Sequence, residues 1–128
     1  MEATTTTVRG ETKVPYLVIQ RDKLKWATVA GLTIYIIHSR GNVVYATPKK
    51  VLGAYMDVYK DPAVRGVPSE LTVVKHYLET ISKSEYGLGS ISNHNTTYYI
   101  INARKIKEVA GENIEDIENL LAEVIMDA

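Results

Sequence analysis

Between positions 21 and 45, positively charged side chains are interleaved with aromatic ones: Arg21, Lys23, Lys25, Trp26, Tyr35, Arg40 and Tyr45. The two residue types have complementary uses on one surface. A lysine or arginine neutralises a phosphate, and an aromatic ring stacks on a base at about 1–3 kcal/mol per base. Further cations follow at Lys49, Lys50, Lys75, Arg104, Lys105 and Lys107, with His76 and His94 among them. The competing fate of Trp26 and the tyrosines is burial in a small core, which is the commoner one for aromatic residues. Other chemistry has less to stand on. Without cysteine there is no disulfide, thiolate metal site or thiol nucleophile. His38, His76 and His94 follow no metal-ligand spacing. Gly87-Leu88-Gly89 lacks the third glycine and the strand-to-helix context of a phosphate loop. A non-catalytic protein with no cofactor and no metal is therefore the expectation.

The formal charge is zero, and it conceals a division along the chain. Up to Lys107 there are 15 basic and eight acidic residues, a net +7. From Glu108 onward there are seven acids and no base, a net −7. Such a split suits a basic binding surface with an acidic appendage, or an acidic helix that neutralises a basic body by packing on it.

The elements that must position these residues can be read in outline. The 128 residues suffice for one domain with its own core. Residues 1–12, polar and threonine-rich, read as a flexible arm before a domain of residues 13–128. No long apolar run or secretory leader is legible, so neither a membrane partner nor export is expected, and the cytoplasm is the expected location. The composition also suits a thermophilic source. Residues 14–20, 24–29, 32–38 and 43–46 are β-branched, aromatic or alternating, separated by breaks at Arg21-Asp22-Lys23, Ala30-Gly31 and Ser39-Arg40-Gly41-Asn42. They predict an antiparallel β-meander, with residues 32–38 central because they are apolar on both faces. Thr47-Pro48 starts a helix whose apolar stripe is Val51, Leu52, Tyr55, Val58 and Tyr59. A second helix over 69–84 buries Leu71, Val74, Leu78 and Ile81. A hairpin over 90–101 turns at Asn93-His94-Asn95, and a short helix over 103–110 follows, capped by Asn102 and stopped by Gly111. The acidic last helix, 112–127, is capped by Asn113. Its Ile114, Ile117, Leu121 and Val124 form a heptad-like seam that packs on the body or on a second copy, making a homodimer. The fold class is thus α+β: an N-terminal meander, two helices, a hairpin and a C-terminal helix.

Residues 69–110, a helix, a hairpin and a helix, resemble the recognition-helix-plus-wing half of winged-helix DNA-binding domains. VVKHYLETI looks like the recognition helix and ISNHNTTYYII like the wing, with NARKIKEV as the helix that leaves it. The resemblance implies that Thr72, Lys75, His76, Glu79 and Lys83 face the major groove. It places Asn93, His94, Asn95 and Thr96 against the backbone or minor groove, and favours DNA over RNA. Two functions follow as expectations. One is nucleic-acid binding, single-stranded or duplex, through the basic surface. The other is a protein-interaction or structural module, of viral or mobile-element type, acting through its last helix.

Overall fold

The computed structural model describes the backbone of residues 10–126 and the side chains of residues 21–126. Among the described residues it is an α+β structure of five helices and a three-stranded antiparallel sheet. The order is α1 (Gly10–His38), β1 (Val44–Ala46), α2 (Pro48–Tyr59), α3 (Pro68–Ser82), β2 (Gly87–Asn93), β3 (Thr96–Ile101), α4 (Ala103–Ala110) and α5 (Ile114–Met126). No helix among the described residues is long and apolar enough to cross a membrane.

The main correction falls on the N-terminal third. The three segments expected as strands over 14–38 are consecutive turns of the single 29-residue helix α1, about 43 Å long at 1.5 Å per residue. Of the meander only β1 is a strand. The expected arm also shortens, since residues 10–12 belong to α1, and residues 1–9 lie outside the described residues. The physical reason is burial. Leu24, Thr28, Leu32 and Ile36, four residues apart, are buried, and so are Ala27, Val29, Ala30 and Thr33 beside them. α1 packs against α2, α3 and α5. A helix surrounded in this way carries no single apolar stripe, and its sequence has the same two-sided apolarity as a central strand. Its buried threonines satisfy themselves within the helix: Thr28 Oγ1 donates to the Leu24 carbonyl at 2.8 Å and Thr33 Oγ1 to the Val29 carbonyl at 2.7 Å. Gly31, read as a break, is instead where α1 and α2 meet, its missing side chain leaving room for the Val51 carbonyl.

The sheet order is β1-β3-β2, so β1 pairs with a strand from the hairpin, not with a neighbour in the chain. Val44 lies opposite Ile101, Tyr45 opposite Ile100 and Ala46 opposite Tyr99. Val44, Ala46, Tyr99 and Ile101 point into the core, leaving Tyr45, Ile91, Tyr98 and Ile100 on the outward face. His94 and Asn95 form a two-residue turn in which both have positive φ, 50° and 68°, the geometry that matches the twist of a β-hairpin. Asn102 caps α4 by accepting from Lys105 N, and Asn113 Oδ1 accepts from Asp116 N at the start of α5.

α1 is tied to the end of α2 by a small polar network. Asp61 Oδ2 accepts from Lys23 Nζ at 3.0 Å and from the Tyr55 hydroxyl at 2.8 Å, and Asp61 Oδ1 accepts from Ala63 N at 3.0 Å. The Lys23 bond and these companions lower the Asp61 pKa to about 2. Burial, reinforced by the Asp61 carboxylate, raises Tyr55 to about 12. A carboxyl whose folded pKa is depressed stabilises the fold above its unfolded value near 4, and loses that contribution as pH falls towards 2. A phenol whose folded pKa is raised stabilises the fold below about 10, and loses that contribution as pH climbs towards 12. Thermal melts should therefore fall between pH 4 and 2, and the fall should be shallower in Asp61→Asn. An equal slope in that variant would remove Asp61 from the account.

Candidate nucleic-acid interface

Three elements converge on one cleft. The first is the N-terminus of α2, where Thr47 Oγ1 accepts from Lys50 N at 3.2 Å and Pro48 occupies the first helical position. The second is the outer face of α3, whose inner face is fixed by Val74, Leu78 and Ile81. The third is the hairpin from Asn95 to Tyr99. Together they enclose about 430 Å³, with Lys49, Lys75, Thr72, Asn95, Thr97 and Tyr99 among the lining residues. Neither Lys49 nor Lys75 has an ion pair among the described residues, so both charges are available to a ligand. Exposed Lys75, His76 and Thr72 lie on α3, and His94 stands at the hairpin tip.

The position of α3 is set by Glu70, which the sequence reading passed over. Glu70 is 4 % exposed, and its Oε1 accepts from the backbone N–H groups of Gly66 (2.7 Å), Arg65 (3.0 Å) and Val67 (3.3 Å). One carboxylate thus organises the α2–α3 connection and the first turn of α3 together. The signal was present: an acid in the first turn of a helix is favoured by the unpaired N–H groups there.

The remaining candidate residues are scattered. Trp26 and Tyr35, expected on a stacking sheet, lie on α1. Trp26 is 52 % exposed, whereas Tyr35 is half-buried and its hydroxyl donates to the Lys50 carbonyl at 3.3 Å. Only Tyr45, 53 % exposed, stands on a strand. Several cations are already engaged within the chain. Lys23 pairs with Asp61, Arg104 with Glu108 at 3.2 Å and Lys105 with Glu85 at 3.4 Å. Lys107 Nζ donates to the Ser39 carbonyl at 2.7 Å, while Lys25 and Lys50 lie 5.9 Å from the rings of Tyr77 and Tyr98. Arg21 and Arg40 are exposed, away from the α3 cleft. A second groove of about 610 Å³ joins Arg40 and His38 to Arg104 and Lys107, with Glu108 and Glu112 on the same walls.

The acidic helix is integrated into the body. Ile117, Leu121 and Ile125 of α5 are fully buried, in contact with α1 and α3. Of the heptad-like seam, Ile117 and Leu121 are therefore spent within the chain, Val124 is half-buried and Ile114 is 55 % exposed. Burial, and then the neighbouring Glu115 charge, raise the Glu118 pKa. No three histidine or carboxylate side chains among the described residues come together as a metal site. The chain matches no known family model, no curated protein and no solved structure.

Proposed function

We propose that this chain is a DNA-binding module of winged-helix type, with α3 as the recognition helix and the β2–β3 hairpin as its wing. The observation that carries the reading is the shared cleft. It brings the outer face of α3, the hairpin and the start of α2 around two lysines that have no ion pair among the described residues. The element order supports it as well. With 14–38 helical, three helices precede the hairpin, and β1 joins the hairpin as a third strand. Duplex DNA is the favoured partner because its major groove admits an α-helix, whereas the deep, narrow groove of duplex RNA does not.

The experiment is fluorescence anisotropy with labelled duplex and single-stranded oligonucleotides across a salt series. The duplex is expected to bind more tightly, with affinity falling steeply as salt rises. Lys75→Glu should weaken it at least about tenfold, since it places a like charge against the phosphates. No binding at low salt would end the reading. A second reading has one observation in its favour. Tyr45, Tyr98, Ile91 and Ile100 share the outward sheet face, with Lys50 above Tyr98, an arrangement suited to stacking an unpaired strand. Preference for the single strand in the same titration, lost in Tyr45→Ala, would favour that reading.

A further inference from the structure

Tyr99 is 3 % exposed, yet its hydroxyl makes no hydrogen bond to any described residue. A buried phenol without a partner among the described residues is costly and uncommon, and a ligand in contact with it would supply one. Tyr99 is also one of the residues that line the α3–hairpin cleft, together with the two lysines that have no ion pair among the described residues. At about 430 Å³ the cleft is of the size that takes a small ligand or part of a larger one.

We propose that this cleft is a phosphate-binding site, in which the Tyr99 hydroxyl and the Lys49 and Lys75 ammonium groups donate to the oxygens of one phosphate group. Three of the other polar side chains at the cleft, which also include Asn95 and Thr96, are committed elsewhere. Thr47 Oγ1 caps α2, Thr72 Oγ1 donates to the Pro68 carbonyl at 3.1 Å, and Thr97 Oγ1 shares a hydrogen bond with Ser92 Oγ at 3.1 Å. Burial raises the Tyr99 pKa above its ordinary value, helped by the charge of Glu79, so the hydroxyl keeps its proton at neutral pH and acts as a donor. Glu79 is the acid that acts on Tyr99, and it is paired with Lys83 at 3.3 Å, which offsets its repulsion of an anion. The phosphate comes either from a nucleic-acid backbone, where it would fix the register of α3, or from a free phosphorylated molecule. Only the first source rests on the proposed function.

The test uses Tyr99→Phe, which keeps the ring in the core and removes only the hydroxyl, and the double variant Lys49→Ala/Lys75→Ala. Each is titrated with duplex DNA by anisotropy and with inorganic phosphate by amide chemical shifts. If the phosphate is a backbone one, Tyr99→Phe weakens duplex binding roughly tenfold, as loss of a hydrogen bond to a charged group does. The double variant then makes the salt dependence shallower by about one phosphate contact. If the source is a free molecule, duplex binding is absent. Inorganic phosphate then shifts the amides of Thr72, Asn95 and Thr97 saturably in the wild type and not in Tyr99→Phe. That result would uphold the site while overturning the nucleic-acid reading. The site itself is overturned if both variants bind duplex like the wild type and phosphate leaves those amides unmoved. Tyr99→Phe with a raised melting temperature and unchanged binding would likewise reduce the hydroxyl to a structural blemish.

Discussion

Gly31→Ala should destabilise the protein by about 3 kcal/mol or more, while the same substitution at Gly53 should stabilise it by about 0.5–1 kcal/mol. Both glycines are helical, and on propensity alone alanine is the better residue at each, because glycine loses more backbone freedom on folding. The surroundings decide the sign. A Cβ at Gly31 would land on the Val51 carbonyl oxygen and press on its Cγ1, 3.0 Å away. Relief requires α1 and α2 to move apart, and α2 cannot move without displacing the buried Val51 and Leu52. A Cβ at Gly53 meets nothing within 4 Å. Urea denaturation of the two variants checks the pair, the midpoints moving in opposite directions at a common slope. Equal shifts would mean that α1 and α2 do not meet as described, and that the helical assignment of the N-terminal third is at fault.

Glu70→Ala should cost about 2–4 kcal/mol, since three backbone N–H groups lose a charged acceptor at once. Glu70→Gln retains an oxygen without the charge and should cost roughly half as much. The loss is local in origin and wide in consequence. The α2–α3 connection relaxes, Gly66 (φ 76°) is no longer held, and the first turn of α3 loses its anchor. Duplex affinity should therefore fall in Glu70→Ala even at temperatures where the variant remains folded. Circular dichroism melts and anisotropy on the same samples separate the two effects. A fully stable variant would show that water replaces the carboxylate without penalty.

What could be read from the sequence was whatever had a local cause. Thr47-Pro48, Asn102, Gly111 and Asn113 delimit their helices through caps and stops written in two or three residues, and the Asn93–Asn95 turn closes the hairpin. The stripe Val74, Leu78 and Ile81 was legible because α3 is buried on one side only. α1 failed for the opposite reason. Buried against three other helices, it lacks a polar face over 27–33, and its β-branched residues favour a strand until tertiary packing overrides them. That misreading also hid the third helix before the hairpin and spread the candidate cations over a sheet that does not exist. At the site, Lys75 and His76 were legible as the wet side of an amphipathic helix. Tyr99 was not, because in TTYYII either tyrosine could face inward until the register with β1 is known. Nor was it legible that Lys23, Arg104, Lys105 and Lys107 find partners within the chain, all of them distant in sequence except Glu108.

Amide chemical-shift mapping on titration with a short DNA duplex examines the proposed interface residue by residue. With α3 as the recognition helix, shifts are expected at Lys49, Thr72, Lys75 and His76 and along the hairpin from His94 to Thr97, with the amides of α5 unmoved. Shifts centred on Tyr45, Ile91 and Tyr98, or on Ile114 and the acidic face of α5, would rule out docking at the α3 cleft.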